Sequence, residues 1–191
     1  MKRLYKPKKF YRLLGDLMSS AGATRRLAEN ERISKDFQER IMMAVTEVNG
    51  CRYCSYFHSR VALMAGIDKK EIQQTLAGNF QDAPQNQLAA LYFAQYYAES
   101  GGLPSGEAIN CMLAEYGEAK TGAILAYIRA IMVGNAWGNM LDALRKRLRG
   151  TPCENLTFGD ELAVIFGPFV MIPLIFIEKL YSKLMIKQKD L

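Results

Sequence analysis

Apolar residues recur along this chain at separations of three and four, and the strict alternation of a half-buried strand is hard to find. That periodicity restricts the chain to helices joined by short turns, an all-α fold. Ser34 can cap a helix whose apolar face runs Phe37, Ile41, Val45 and Val48 and which stops at the turn signal Asn49-Gly50. A second helix follows at once, from about Cys51 to Ala65, and Gly66 ends it. Asp68 and Glu71 form a capping-box pattern for a short helix closing at Gly78. Asp82, with Pro84 in the first turn, opens another that runs to about Glu99. Ser105 starts the next, and a long segment from Glu118 to Arg149 carries Ile124, Ile128, Ile131 and Met132 on one stripe. In that segment Gly134 and Gly138 mark points of close packing or bending.

Half of the 191 residues are apolar, enough to bury a core in one domain or in a compact domain with an appendage. The pattern divides into a basic N-terminal arm and helix over 1–29, a helical domain over 30–150 and an apolar C-terminal extension over 151–191. The net charge of +6 is uneven, because Lys2, Arg3, Lys6, Lys8, Lys9 and Arg12 all precede the first acid, Asp16. Such an arm attracts polyanions, but no nucleic-acid motif accompanies it, and Tyr5, Phe10 and Tyr11 suit a helix packing one face on the body. The expectation is a solvated basic terminus and no nucleic-acid partner.

The extension contains an uncharged run, Leu162 to Ile177, interrupted by Gly167, Pro168 and Pro173 and followed by Lys179, Lys183 and Lys187. That run is shorter than the roughly 20 residues a spanning helix needs, and prolines remove helix hydrogen bonds. Burial against the core or in an oligomer interface is therefore expected, with peripheral insertion into a membrane surface as the second reading. No signal peptide is evident at the start, which makes the cytoplasm the expected compartment and membrane association the alternative. In that compartment a Cys-x-x-Cys pair points to catalysis or metal binding more than to a structural staple.

Cys51, Cys54 and His58, the only histidine, stand at i, i+3 and i+7, on one face of a helix. Cys51 lies at the helix start, where unpaired amides and the dipole favour a thiolate. Cys54 has His58 one turn above it, placed to take the thiol proton. Glu39 and Glu47 share roughly one face of the preceding helix, and spacing alone favours neither as the carboxylate of the site. These groups describe a thiol redox centre. Cys111 and Cys153 have no such neighbours and read as structural.

The stretch ERIMMAVTEVNGCRYCSYFH, Glu39 to His58, resembles the signature of the carboxymuconolactone decarboxylase-like superfamily, specifically its alkylhydroperoxidase D branch. Glu39, Cys51, Cys54 and His58 occupy the pattern's glutamate, Cys-x-x-Cys and histidine positions, and ALMAGI and the segment Val133 to Leu148 resemble later family helices. The resemblance covers about residues 30–150. It implies a compact all-helical fold that assembles as trimers or hexamers, and a peroxidase cycle needing no metal and no other cofactor. In that cycle Cys54 supplies the thiolate, Glu39 and His58 relay its proton, and Cys51 resolves the oxidised centre; Glu47 remains a secondary candidate. The implied partners are a peroxide substrate and a dithiol reductant, with Tyr53, Phe57 and Trp137 as apolar lining. Disulfide exchange is the other direction in which the same pair can run.

Three rival readings remain. A lactone-acid decarboxylase would need cations to hold its substrate and would not need the cysteine pair. A zinc site from Cys51, Cys54, His58 and a glutamate is disfavoured, since the three helical ligands spread too far along the axis for one ion. A non-enzymatic membrane-surface or assembly protein would rely on the C-terminal segment instead.

Overall fold

The computed structural model describes residues 2–20, 22–23 and 32–189, with the side chains at 175, 179, 180 and 182–189 excepted. Among these residues the chain is all-α. Its helices are α1 (Pro7–Ser19), α2 (Lys35–Asn49), α3 (Arg52–Met64), α4 (Lys69–Thr75), α5 (Leu88–Glu99), α6 (Gly106–Leu148) and α7 (Phe158–Lys189). A 3-10 turn at Gln85–Gln87 precedes α5, so Pro84 starts that turn and the α-helix proper begins later than Asp82 suggests. α6 is two helical segments meeting at Gly117, whose φ of 72° only glycine adopts readily, and the second segment is the long one read from Glu118.

One core unites the chain's three parts. Phe10 and Leu13 of α1, Phe37 and Ile41 of α2, Leu91 and Tyr97 of α5, Ile124, Ile128 and Met132 of α6, and Val164 and Ile165 of α7 form a single buried cluster. The long α6 is the spine against which the other helices bury their apolar stripes. A satellite cluster of Met43, Ala62, Ile67 and Ile72 seals α3 and α4 onto α2. Of the sequence's cap signals, Asp68 accepts from the Lys70 amide as expected, but Glu71 turns away to Arg40 rather than back to the cap. Ser34 occupies the N-cap of α2 without a side-chain capping bond.

The basic N-terminal residues are not a free arm. Lys2 pairs with buried Asp142, Arg3 donates to the carbonyls of Ala98 and Glu99, and Arg12 donates to the Gly101 carbonyl. Lysine and arginine there serve as clasps, with Tyr5 buried beside them.

The expectation that Pro168 and Pro173 interrupt the C-terminal run is overturned: both lie inside a continuous α7. Each proline removes one hydrogen bond, and the rest of a long helix survives it. The 21 residues Phe158–Glu178, with mean hydropathy 2.0, are long and apolar enough to cross a membrane by length and composition. Among the described residues of α7, Glu161, Val164 and Ile165 are buried, while Phe166, Phe169, Val170 and Phe176 are exposed. The side chains of Lys179, Lys183 and Lys187 lie outside the described residues.

Candidate functional site

The site begins at the α2–α3 reversal. Gly50 turns the chain with φ 65°, donating its amide to the Thr46 carbonyl at 2.8 Å. Cys51 follows as the N-cap of α3, its sulfur accepting from the Cys54 amide at 3.3 Å. The helix therefore starts on the first cysteine, and the second lies one turn in. The two sulfurs are joined in a disulfide, with Cα atoms 5.3 Å apart. Cys51 is fully buried, whereas Cys54 is half-buried.

The reversal is held by α6 and by the residues before α1. Asn139 of α6 donates to the backbone carbonyls of Asn49, at 2.8 Å, and Arg3, at 3.0 Å. Tyr5 donates its hydroxyl to Asn49 Oδ1 at 3.1 Å, and Asn49 Nδ2 lies 3.2 Å from Met132 Sδ. Asp142, one turn beyond Asn139, pairs with Arg52 at the first position of α3. Gly138 faces the cysteines between them: a Cβ there would stand 2.8 Å from Cys51 Sγ and 3.5 Å from Cys54 Sγ. The close approach of α6 to the disulfide requires that this residue have no side chain.

His58, one turn after Cys54, is buried and engages buried Glu39 across the helix pair, with Nδ1 to Oε2 at 2.7 Å. The other oxygen, Oε1, meets Lys35 Nζ at 2.7 Å. Burial alone would push the Glu39 carboxyl up. The hydrogen bonds and charges of His58 and Lys35 outweigh that and hold it below the ordinary glutamate value. An ionised Glu39 accepts from Nδ1–H and leaves Nε2 as the ring nitrogen free to exchange a proton.

Cys54 and His58 open into a cavity of about 300 Å³ lined also by Tyr53, Phe57, Ile131, Gly134, Trp137, Gly138 and Leu141. Cys51 is absent from that lining. Of the two candidate carboxylates, only Glu39 joins the cysteines and histidine. Glu47 lies toward Gly78, where its carboxyl carbon is 3.8 Å from the position a Cβ would take. Cys111 is exposed and Cys153 partly buried, both free thiols. Sequence reasoning did not single out Lys35, although an i, i+4 lysine before a buried glutamate is a signal it could have used.

Residues 14–104 match the model of the carboxymuconolactone decarboxylase family. Over that stretch, just under half of its length, the chain is similar to this family. The match begins within α1, takes in Glu39, Cys51, Cys54 and His58, and ends before α6. The walls that α6 adds to the site therefore come from beyond the matched stretch. No curated protein and no solved structure matches the chain.

Proposed function

We propose that the protein is a thiol-dependent peroxidase of the alkylhydroperoxidase D branch, reducing alkyl hydroperoxides at Cys54. The observation that carries this reading is the division between the two cysteines. Cys54 opens into the cavity beside a histidine buttressed by an ionised glutamate, while Cys51 is sealed behind it within disulfide reach.

With the disulfide reduced, His58 Nε2 takes the Cys54 proton and Glu39 stabilises the imidazolium through Nδ1–H. The Cys54 thiolate attacks the terminal peroxide oxygen; the S–O bond forms as the O–O bond breaks, and the alkoxide takes a proton from His58 to leave as an alcohol. Cys51, as a thiolate, then attacks the sulfur of the Cys54 sulfenic acid, forming the disulfide and releasing hydroxide, which is protonated to water. An external dithiol restores the pair by exchange. Gly138 gives the sulfurs room to approach. Among the described residues no lysine or arginine lines the cavity, which disfavours a carboxylate-bearing lactone as substrate. Self-association into a homo-oligomer belongs to the same proposal, since Tyr56, Phe57, Leu63 and Met64 leave one face of α3 apolar and exposed; sedimentation of the full chain measures it.

The test is peroxide-dependent thiol loss in the reduced protein, followed against pH. Loss of both α3 thiols, abolished by Cys54→Ser, halted at the sulfenic acid by Cys51→Ser and slowed about 10²-fold or more by His58→Ala, is the expected result. Thiol loss no faster than that of a free thiol overturns the peroxidase reading. Rapid exchange with a dithiol under the same conditions would then favour disulfide exchange.

A further inference from the structure

The cavity at Cys54 has a neighbour. A second cavity, of about 630 Å³, lies between α1, α6 and α7, with walls that include Leu14, Leu17, Val133, Phe169 and Ile172. Gly134 and Trp137 belong to the walls of both. Gly134 has no side chain, and a Cβ there would touch only Ile131, at 3.9 Å, so α6 raises no side-chain barrier at that point. Trp137 is tied to α7 by its indole N–H, which donates to the Ile165 carbonyl at 3.1 Å. Among the described residues no charged side chain lines the larger cavity. Both volumes lie within the range of small-molecule sites, roughly 300–1,000 Å³.

We propose that the two cavities form one site, in which the chain of a long acyl hydroperoxide lies in the α1–α6–α7 groove and its hydroperoxide group reaches Cys54. This rests on the peroxidase reading and names its substrate class. Hydrogen peroxide gains nothing from an apolar groove, whereas each methylene of an acyl chain removed from water strengthens binding roughly fourfold. The reaction consumes one acyl hydroperoxide and one dithiol and yields the acyl alcohol, water and a disulfide. The exposed apolar side of α7 beside the groove suits a substrate drawn from lipid, as the free acid or from a bilayer.

Initial rates with dithiothreitol as reductant are compared for tert-butyl hydroperoxide, linoleic acid hydroperoxide, and phosphatidylcholine hydroperoxide held in vesicles. The expected result is a kcat/KM for linoleic acid hydroperoxide about tenfold or more above that for tert-butyl hydroperoxide. Leu17→Trp, which fills the groove away from Cys54, is expected to lower that ratio about tenfold. Turnover of the vesicle-held substrate assigns the bilayer as a source, and its absence assigns the free acid. Wild-type protein titrated with unoxidised linoleic acid is expected to show a saturable change in the emission of Trp137, the only tryptophan.

Equal kcat/KM for the two soluble hydroperoxides, without a Trp137 response, overturns this inference and leaves the peroxidase reading standing. A preference untouched by Leu17→Trp, in a variant with the circular dichroism of the wild type, overturns the groove as its source. An oligomer that Leu17→Trp dissociates without altering the substrate ratio gives the groove to a second copy of the chain and also overturns it. No turnover of any hydroperoxide overturns both readings.

Discussion

α3 and α7 both present apolar side chains to the outside, yet they are attached to the body in different ways. α3 is pinned at every turn: Cys51 caps it, Arg52 pairs with Asp142, Cys54 is bonded to Cys51, His58 meets Glu39, and Ala62 is buried. Among the described residues α7 is pinned near its start, by Glu161 against Arg147, by Val164 and Ile165 in the core, and by Trp137. A helix that must hold reacting atoms to a fraction of an ångström needs polar, directional contacts. A helix whose task is to offer apolar surface does not. The difference marks α3 as the chemical element and α7 as the accessory one.

The comparison fails first if the core behind α3 is not the main source of stability. Met140, fully buried on α6, should cost about 2–5 kcal/mol when replaced by alanine, measured by urea unfolding. Next comes Gly138→Ala, whose new methyl would crowd Cys51 Sγ and should cost about 1–3 kcal/mol. Gly134→Ala, one turn away with open space around it, should instead gain roughly 0.5–1 kcal/mol. If both glycines behave alike, α6 does not press on the disulfide as described.

A smaller effect should appear in the pH dependence of stability. Folding lowers the Glu39 carboxyl pKa, so its contribution is fully present above the unfolded value of about 4.3 and disappears as pH falls through the lower folded value. Melting temperatures recorded from about pH 6 down to about pH 3 should fall less steeply for Glu39→Gln than for the wild type. The smallest change is expected on α7: Phe166, 58% exposed, should tolerate Phe166→Ser within about 0.5 kcal/mol. A loss as large as that of Met140→Ala would mean that another surface covers α7 in solution.

What the sequence made legible follows from how local each signal is. The α2–α3 reversal was readable because Asn49-Gly50 is a turn signal and Cys51 stands directly after it. The break at Gly117 was readable as the start of a long segment at Glu118. The choice between Glu39 and Glu47 was not, since both fall on one side of α2 and only the path of α3 across that helix selects the first. Gly138 was visible as a small residue in α6, but not as the residue facing the sulfurs, because that depends on how α6 crosses α3. The continuity of α7 through Pro168 and Pro173 ran against the local rule, which weighs a lost hydrogen bond without weighing the many that remain.

The clasp made by Asn139 also sets an order of assembly. Its side-chain amide joins the carbonyl of Arg3 to that of Asn49, so it needs the beginning of the chain, the α2–α3 reversal and the far half of α6 at once. During synthesis from the N-terminus, the turn that positions Cys51 cannot receive this brace until residue 139 has left the ribosome. Until then the two thiols sit on a helical hairpin that lacks this brace, and the centre matures only once the far half of α6 has been made. A cell that exposes nascent chains to oxidant would therefore meet these cysteines before Glu39, His58 and Gly138 surround them.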